Sequence, residues 1–356
     1  MNLPRQPATP RRRSQLSVGW GLIGVSRIAD VAMLDAIRHQ PLLPEAADVI
    51  PSWVMGVYSR SDHRARDFAQ RRQIPYAFDN LDEMWDRPEI QCVYISTQPQ
   101  YQAELALTAI EAGKHVLCET PLALSAEDAR RVQARAREKN VLLAVDYALR
   151  SHPALARCAE LIRDYTIGDV LGVRVSNCDP LPFAQQAWRM RATGGGILLD
   201  RTLHDIDLLR WLLADDVDAV TALNGGAFLT DGPSRVVEEE ILALTRMKRG
   251  VAAQIHDSWA ALHQHSVLEI YGTGGTLIAY RWWGDWRNSE LILVRNDEVS
   301  DIPIPKTSPY QGIVTAFNAG VRKRDWLLNR RSVLATGEDA ARNLEIIERI
   351  RGEIGA

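Results

Sequence analysis

The first half of the chain alternates short, continuous apolar runs with segments of helical periodicity. The candidate strands are VGWGLI (18–23), WVMGV (53–57), CVYIS (92–96), HVLC (115–118) and VLLAV (141–145). Runs that are apolar at every position are typical of strands buried on both faces, as a parallel sheet requires. The repeated order of strand, helix and strand predicts right-handed crossovers and a doubly wound α/β sheet.

Two of the intervening segments have clear helix boundaries. The segment 102–114 carries an apolar stripe and places Gly113 where a helix commonly ends in the left-handed conformation. The segment 125–139 opens with Ser125 and has Asp128 three residues later. That spacing predicts a capping box at the start of the helix.

The second half of the chain has a different pattern. Residues 171–177 are strand-like, and residues 203–213 form a short amphipathic helix. Glycine and Asn-Asp turns between apolar runs indicate hairpins, and they occur at 248–250, 274–275 and 296–297. We therefore expect a second α/β domain with a large open, mostly antiparallel sheet, and a final helix within 336–355.

Charge and cysteine spacing exclude several classes of partner. The chain has 356 residues and a formal net charge of −3, and its first 17 residues hold four arginines and no acid. Those residues lack the apolar core of a signal peptide and are expected to be a disordered basic tail. The remainder is mildly acidic, so no nucleic-acid partner is expected. No apolar run approaches 18 residues, so no membrane partner is expected either.

The cysteines indicate neither a metal centre nor a disulfide framework. Their spacings match no zinc or redox motif, and two of them lie in apolar strand-like runs. We expect buried thiols in a reducing cytoplasm and no metal site. The four residues are Cys92, Cys118, Cys158 and Cys178.

A glycine-containing loop follows the first strand and opens the first helix. Dinucleotide-binding loops have the pattern Gly-x-Gly-x-x-Gly/Ala at this place; here Gly24 is first, Ser26 takes the middle position and Ala29 is last. Gly24 allows the tight turn, and the Ser26 hydroxyl can donate to a phosphate. The amides and dipole of the helix start also attract an anion. The expected cofactor contacts are Gly24, Ser26, Arg27 and Ile28.

The end of the second strand indicates which dinucleotide binds. NAD-binding chains usually place an acid there to bind the ribose hydroxyls, but this chain has Ser59 and Arg60, with Arg64 close by. An arginine at this place can stack on the adenine and pair with a 2′-phosphate. The sequence therefore predicts NADP as the cofactor, with NAD as the alternative.

Several stretches together resemble one oxidoreductase family. They are WGLIGVSRIA (20–29), AIEAGKHVLCETPLALS (109–125), GGGILLDRTLHDIDLLRWLL (194–213) and ATGEDAARNLEIIE (335–348). Over residues 18–356 the chain resembles the glucose–fructose oxidoreductase/inositol dehydrogenase (Gfo/Idh/MocA) family. Within that family it is most similar to the 1,5-anhydrofructose reductase and dihydrodiol dehydrogenase branches.

The resemblance implies a fold, a division into domains and an assembly. It implies a Rossmann dinucleotide-binding domain over residues 18–147, after the tail at 1–17. Residues 148–356 are then an α/β domain for substrate binding and oligomerisation. The open sheet of that domain would form the interface of a homodimer or homotetramer.

The resemblance also implies roles for individual residues. Asp200 and His204 match the Asp-x-x-x-His pair of the family, which lies beside the substrate. Four residues on a helix, or on the turn leading into one, would place both on one face, where a carboxylate can orient an imidazole for acid–base work. Glu119 matches a glutamate at the nicotinamide, and Thr97 a position near the cofactor ribose. Asp207 is a further candidate for the substrate pocket, and Asp205 is expected to be exposed.

The departures from the family pattern concentrate around the nicotinamide and the substrate. Thr120 replaces the family lysine, Pro99 stands where the family often has Asn, and Gln102 where it often has His. Asp146 and Tyr147 occupy a position that is usually rich in Asn, His or Tyr. A threonine is a poor acid or base, so His204 with Asp200, or Tyr147, would have to manage the proton.

Two side chains before the glycine run complete the expected substrate pocket. Trp188 offers an apolar wall, although structural packing explains it equally well, and Arg189 offers a contact for an anion. The sequence thus predicts an NADP(H)-dependent oxidoreductase that acts on a hydroxyl or carbonyl carbon of a small sugar, polyol or cyclic diol. The alternatives are a non-catalytic NADP-binding sensor of the same fold and non-redox chemistry in a remodelled pocket.

Overall fold

The computed structural model describes residues 17–39, 50–181, 188–191, 194–226, 229, 237–261, 265–284, 286–323 and 331–355. Within these ranges the chain forms two separate sheets with helices packed against them. The basic tail expected at 1–17 lies, except for Ser17, outside the described residues.

The first sheet contains the strands of the first half. They are β1 (Val18–Ile23), β2 (Ser52–Tyr58), β3 (Tyr76–Phe78), β4 (Cys92–Ile95), β5 (His115–Cys118) and β6 (Leu143–Val145). All pair in parallel, in the order β3-β2-β1-β4-β5-β6. This is the doubly wound order of dinucleotide-binding sheets, so the predicted architecture is confirmed. β3 has only three residues, too few for the periodicity that reveals the other strands.

Helices connect these strands and surround the sheet. A π-helical segment (Ala29–Met33) leads into α1 (Leu34–Arg38), and the others are α2 (Asp62–Arg72), α3 (Leu81–Trp85), α4 (Pro99–Glu111) and α5 (Ala126–Glu138). The helix α6 (Pro153–Arg163) follows the last strand of this sheet and packs against a helix and a strand of the second half. At the start of α5 the Ser125 hydroxyl accepts from the amide of Asp128 at 3.1 Å, which confirms the predicted helix start. Gly113 lies beyond α4 at φ +72°, in the left-handed conformation that the sequence indicates.

The second sheet has eight strands. They are β7 (Val170–Cys178), β8 (Val217–Asn224), β9 (Glu240–Met247), β10 (Ala252–Ser258), β11 (Val267–Gly272), β12 (Gly275–Tyr280), β13 (Glu290–Arg295) and β14 (Glu298–Asp301). Their order is β14-β13-β12-β11-β7-β10-β9-β8. Only the pair of β7 and β10 is parallel, so the expectation of a mostly antiparallel sheet is confirmed.

The hairpin turns follow their residue types. Asn296 and Asp297 both have positive φ, as their two-residue turn requires. The hairpin of β9 and β10 turns at 248–250 as expected. The turn expected at 274–275 lies one residue earlier, at 273–274, because Gly275 already pairs with Gly272 as the first residue of β12.

Three further helices belong to the second half. A π-helical segment (Leu198–Thr202) leads into α7 (Leu203–Leu213), followed by α8 (Pro309–Lys323) and α9 (Gly337–Ile354). α8 returns to the first sheet: the indole nitrogen of Trp20 donates to the Oδ1 of Asn318 at 3.1 Å, and its ring lies 5.0 Å from that of Phe317. α9 starts with a capping box between Thr336 and Asp339.

The two sheets differ in how they are covered. The strands of the first sheet are almost entirely buried, whereas β9 alternates buried and exposed residues. One face of the second sheet therefore packs on the core, and the other is open in this single chain. No helix in the described part of the chain is both long and apolar enough to cross a membrane.

Candidate active site

One large cavity of about 1880 Å³ brings together residues from both halves of the chain. It runs past the carboxyl ends of β1, β2 and β4, where ligands bind in doubly wound sheets. Most of the predicted site residues line it: Gly24, Ser26, Arg27, Ile28, Ser59, Arg60, Arg64, Thr97, Glu119, Thr120, Trp188, Arg189 and His204. Three do not, namely Tyr147, Asp200 and Asp207.

The glycine loop has the backbone of a phosphate-binding turn. Gly24 has φ +104°, and a Cβ there would lie 2.4 Å from the carbonyl oxygen of Ser96, so only glycine fits. The hydroxyl of Ser26 accepts from the amide of Ala29 at 3.1 Å and also contacts the Ser96 hydroxyl. Ser26 therefore caps the first helical turn. The loop presents a tight turn and a helix start to the cavity, which fits a dinucleotide.

The end of β2 and the first turn of α2 supply further residues to the cavity wall. Ser59 is buried, and its hydroxyl accepts from the amide of Ser61 at 3.3 Å. Arg60 is exposed, with its guanidinium carbon 4.8 Å from the centre of the Tyr101 ring. Arg60, Arg64 and Tyr101 all line the cavity. Two cations and an aromatic ring there suit an adenine that carries an added phosphate.

Thr120 and His204 are in direct contact in the other part of the cavity. Thr120 follows β5 in the loop that the cis peptide bond to Pro121 shapes, and His204 lies in the first turn of α7. The Oγ1 of Thr120 lies 3.0 Å from the Nε2 of His204. Thr120 is therefore hydrogen-bonded to the residue that is expected to manage the proton.

His204 is an uncharged imidazole at neutral pH. Burial lowers its pKa from about 6.5 to about 4, although the nearby carboxylates of Asp200 and Asp207 oppose the shift. Its ring packs edge-on against Tyr147 at 5.6 Å and Trp283 at 5.3 Å between centroids. The Nδ1 of His204 is buried and has no hydrogen-bond partner among the described residues. Thr120 is thus the group that fixes this imidazole.

Asp200 does not orient His204 as expected. Its Oδ1 accepts from the Nε of Arg189 at 2.7 Å, and its Oδ2 accepts from the indole nitrogen of Trp259 at 3.2 Å. Burial by itself would raise the pKa of Asp200, but Arg201 and Arg189 outweigh burial and lower it. The physical reason for the difference is that Arg189 and Trp259 occupy both oxygens of the Asp200 carboxylate.

Glu119 lines the cavity, and the pKa of its carboxyl group is raised. The Tyr94 hydroxyl donates to its Oε1, and the backbone amide of Thr120 donates to its Oε2 at 3.2 Å. Burial raises the pKa of Glu119, and these two bonds counteract the rise only in part. Asp146 is buried nearby without a hydrogen-bond partner for either oxygen among the described residues, and burial and Glu119 both raise its pKa.

Tyr147 and Asp207 are buried, and neither lines the cavity. Asp207 accepts two hydrogen bonds from Arg150, at 2.6 and 2.8 Å, and one from Asn343 at 2.8 Å. Tyr147 is 1% exposed, and burial raises its pKa far above the usual range. Asp205, expected to be exposed, is fully buried. The helix α7 is covered on nearly all sides, and Asp205 and Asp207 both lie among its buried residues.

The remaining departures from the family pattern are structural. Pro99 is the first residue of α4, where a missing amide proton costs nothing. Gln102 is fully buried: its Nε2 donates to the carbonyl of Pro121 at 2.9 Å, and the Cys118 thiol donates to its Oε1 at 3.4 Å. Gln102 thus supports the loop that positions Thr120. All four cysteines are free and buried.

Sequence analysis did not find the aromatic side of the cavity. Trp188 and Arg189 line it as predicted, with the Arg189 guanidinium 4.4 Å from the Trp188 ring. The residues that it missed are His152, Trp282, Trp283, Trp286 and Tyr310. The available signal was the stretch RWWGDW (281–286), because tryptophans at this density outside a predicted strand indicate a specific role in packing or binding.

Two family models match this chain. One is described as an oxidoreductase family with an NAD-binding Rossmann fold and matches residues 18–147. The other is the GFO/IDH/MocA C-terminal domain and matches residues 155–278. The chain belongs to the Gfo/Idh/MocA family of oxidoreductases. The family resemblance predicted from the four sequence stretches is therefore confirmed, as is the expectation of an oxidoreductase.

Named relatives agree with the predicted branches. A 1,5-anhydro-D-fructose reductase from Ensifer adhaerens is 32% identical over 328 residues, which cover 91% of this chain and 92% of the relative. A trans-1,2-dihydrobenzene-1,2-diol dehydrogenase from Mus musculus is 29% identical over 82% and 81% of the two chains. A variant of a 3-ketoreductase from Actinomadura kijaniata, solved with NADP and TDP-benzene, is 25% identical, with a TM-score of 0.79 over 95% and 98%.

Proposed function

We propose that this family member is an NADP(H)-dependent oxidoreductase that acts on a carbonyl or hydroxyl carbon of a small sugar, polyol or cyclic diol. The observation that carries the proposal is the contact of Thr120 with His204 inside the cavity that the cofactor loop opens. The names of the two relatives, a reductase of an anhydro-sugar and a dehydrogenase of a cyclic diol, support the substrate class. The two arginines at the end of β2 support NADP.

The residues divide the work between the two ends of the cavity. Gly24, Ser26, Arg27 and Ile28 would hold the pyrophosphate, while Arg60 and Arg64 would hold the 2′-phosphate. Bound NADP(H) supplies or accepts the hydride. The protein must then orient the reacting carbon and manage one proton.

The proton is managed by Thr120 and His204 together. In oxidation, the substrate hydroxyl gives its proton to the Thr120 oxygen, and the Thr120 proton passes to the Nε2 of His204. In reduction the same path runs backwards from a protonated imidazole. The 3.0 Å contact is a hydrogen-bond distance, and a hydroxyl can accept one proton as it donates another. Thr120 is therefore a relay where the family has a lysine.

The ion pair of Arg189 and Asp200 has a supporting role. Arg189 lies on the cavity wall and is held by Asp200 at 2.7 Å. We infer that the pair fixes the wall formed by Trp188 and Arg189, on which an apolar sugar face would rest. Asp200 acts on His204 only through its charge, which favours the protonated imidazole.

Replacement of His204 should lower turnover without weakening cofactor binding. The assay combines NADPH or NADH with a panel that contains 1,5-anhydro-D-fructose, other keto-sugars and cyclic diols with the oxidised cofactors. His204→Ala is expected to lower turnover by roughly 10²–10⁴-fold, the contribution of a positioned acid–base group, with little change in NADPH affinity. His265→Ala, on a histidine outside the cavity lining, is the matched control.

The result that contradicts catalysis is specific. If the natural chain turns over no member of the panel and Thr120→Lys creates activity, the chain binds NADP without catalysis and acts as a sensor. Equal affinities for NADPH and NADH would contradict the choice of cofactor without affecting the proton route.

We also propose a symmetric dimer or tetramer formed through the open face of the second sheet. Large apolar side chains are exposed on its strands: Leu171, Leu223, Leu242, Leu244 and Tyr271. Contiguous apolar surface of this kind marks interfaces. In the two-domain division expected from the sequence, residues 18–147 bind the cofactor, and residues 148–356 bind the substrate and the second copy of the chain. Light scattering at micromolar concentration tests it: a monomer would contradict it, and Leu244→Glu should dissociate the assembly.

A further inference from the structure

Two carboxyl groups lie on adjacent strand ends beside the cavity. Glu119 follows β5 and Asp146 follows β6, and the amide of Asp146 donates to the carbonyl oxygen of Cys118 at 2.8 Å. The two residues are therefore neighbours across parallel strands, which lie about 4.8 Å apart. Their side chains share one face of the sheet, because Leu117 and Ala144, each two residues earlier, are register partners.

The two carboxyl groups differ in their surroundings. Glu119 is half-buried and lines the cavity, and it accepts from the Tyr94 hydroxyl and from the amide of Thr120. Asp146 is 2% exposed, and neither of its oxygens has a hydrogen-bond partner within the described ranges. Burial disfavours a charged carboxylate, and a second carboxylate beside it disfavours the charge further. The pair therefore retains a proton to a higher pH than an ordinary carboxyl group does.

The groups packed around the pair keep a constant charge between pH 6 and pH 9. The phenols of Tyr94 and Tyr310 and the thiol of Cys118 stay neutral, because burial raises their pKa values. His204 is already neutral, since burial lowers its pKa to about 4. Arg189, whose charge acts on Glu119, stays a cation. Among these described neighbours, a change of charge in this range is thus confined to the pair.

The pair lies where the redox-active half of a dinucleotide is expected. Gly24 and Arg60 assign the pyrophosphate and the adenine to the ends of β1 and β2, and the strand order reverses between β1 and β4. A dinucleotide crosses that point, so its nicotinamide half belongs to the side of β4 and β5. Glu119 and Thr120 line the cavity on that side. The oxidised nicotinamide ring carries a positive charge that the reduced ring lacks, and a cation favours an ionised carboxylate nearby.

We propose that Glu119 and Asp146 share a proton that the protein releases when the oxidised cofactor binds and retains when the reduced cofactor binds. The proton leaves from Glu119 through the cavity to solvent, and one negative charge remains on the pair to face the nicotinamide cation. The affinity for the oxidised cofactor, relative to the reduced one, therefore rises with pH. The inference rests on the proposed function for the binding of NADP(H) and adds a role for Asp146, which acts through Glu119.

The test counts the protons exchanged when each cofactor binds to the full chain. Isothermal titration calorimetry with NADP⁺ and NADPH is run at pH 6.5, 7.5 and 8.5, each in two buffers of different ionisation enthalpy. At one or more of these pH values, NADP⁺ should release about 0.3 proton or more beyond the number that NADPH releases. Across the range, the affinity for NADP⁺ relative to NADPH should rise about threefold or more. The comparison cancels the titration of the 2′-phosphate, which both cofactors carry.

Variants assign the proton to the pair. Asp146→Asn should abolish the difference between the two cofactors, and it removes no hydrogen bond seen within the described ranges. Asp146→Ala should have the same effect and serves if the asparagine variant does not fold. Asp205→Asn is the matched control and should keep the difference, because Asp205 and Asp257 are also a buried carboxyl pair but lie off the cavity.

The failures of this inference and of the proposed function are distinguishable. Equal proton release by NADP⁺ and NADPH in the natural chain, or a difference that Asp146→Asn keeps, would overturn the shared proton. Lack of turnover on the sugar panel, with both cofactors bound, would contradict the proposed function alone. If NAD binds more tightly than NADP, the same comparison is made with NAD⁺ and NADH and has the same two outcomes.

Discussion

The two ends of the cavity are built in opposite ways. At the cofactor end, the functional groups come from the loop after β1 and the end of β2 and include exposed cations such as Arg60 and Arg64. At the substrate end, the groups come from several distant segments and are mostly half-buried, and His204 has a lowered pKa. The first end recognises a fixed charged ligand with local backbone geometry. At the substrate end, the chemistry of each polar group depends on the residues that pack around it.

At the cofactor end, the largest expected effect is at Arg60. Arg60→Ala should weaken NADPH by about 1.5–3 kcal/mol, the value of a charge-assisted contact to phosphate, and should weaken NADH much less. Turnover at saturating cofactor should remain within twofold, because Arg60 lies far from the proton route. Fluorescence titration with both cofactors measures the effect. The control is Arg66→Ala, which removes an exposed cation of α2, the helix that follows Arg60; Arg66 pairs there with Asp62.

Behind the substrate end, a buried carboxyl pair links stability to pH. Burial raises the pKa of Asp205 well above its ordinary value, with Asp257 adding to the rise, and burial also raises the pKa of Asp257. The folded state therefore holds protons that the unfolded state releases near pH 4. The stability that this proton uptake contributes is present below that pH and is lost as the pH rises through the folded pKa values.

Asp205→Asn should therefore raise the unfolding free energy by about 1–2 kcal/mol more at pH 8 than at pH 5. The amide keeps a hydrogen-bond donor toward Asp257 without needing a proton. Urea unfolding at the two pH values measures the difference. The control is Asp164→Asn, on an exposed acid paired with Arg163, which should show no such difference. An equal gain in stability for Asp205→Asn at both pH values would contradict the proton uptake by the folded state.

The smallest expected effect is a nearly flat pH profile. Oxidation requires a neutral His204, and burial lowers its pKa to about 4. The kcat/KM of the oxidation should therefore change less than twofold from pH 8 to pH 5.5. With an ordinary histidine of pKa about 6.5, this kcat/KM would fall roughly tenfold by pH 5.5. Reduction requires the protonated imidazole and should accelerate toward acid pH. A midpoint near 6.5 in oxidation would show that His204 is not desolvated.

The contrast between the two ends explains what the sequence could predict. The parallel sheet follows from five apolar runs, and the cofactor loop follows from Gly24, Ser26 and Ala29, because these features are local in the chain. Thr120 was recognisable as a departure, but its contact with His204 joins residues 84 positions apart. No pattern in one sequence gives such a pairing.

Other features at the substrate end were hidden for related reasons. Asp200 and His204 have helical spacing, but the Asp200 carboxylate is bound by Arg189 and by Trp259, which lies 59 positions away, and no local pattern in the sequence reveals the second partner. His152 lies in a segment without a motif, and only the fold brings it to the cavity that Trp282 also lines.

The central claim is that the Thr120 hydroxyl relays the proton to His204, and the most direct measurement compares Thr120→Val with Thr120→Ser. Valine keeps the shape without the hydroxyl, whereas serine keeps the hydroxyl. The account predicts that kcat falls by about 10²-fold or more in Thr120→Val and stays within a few-fold in Thr120→Ser, with NADPH affinity unchanged in both. Full activity in Thr120→Val would contradict the account, because His204 would then exchange its proton with the substrate without Thr120.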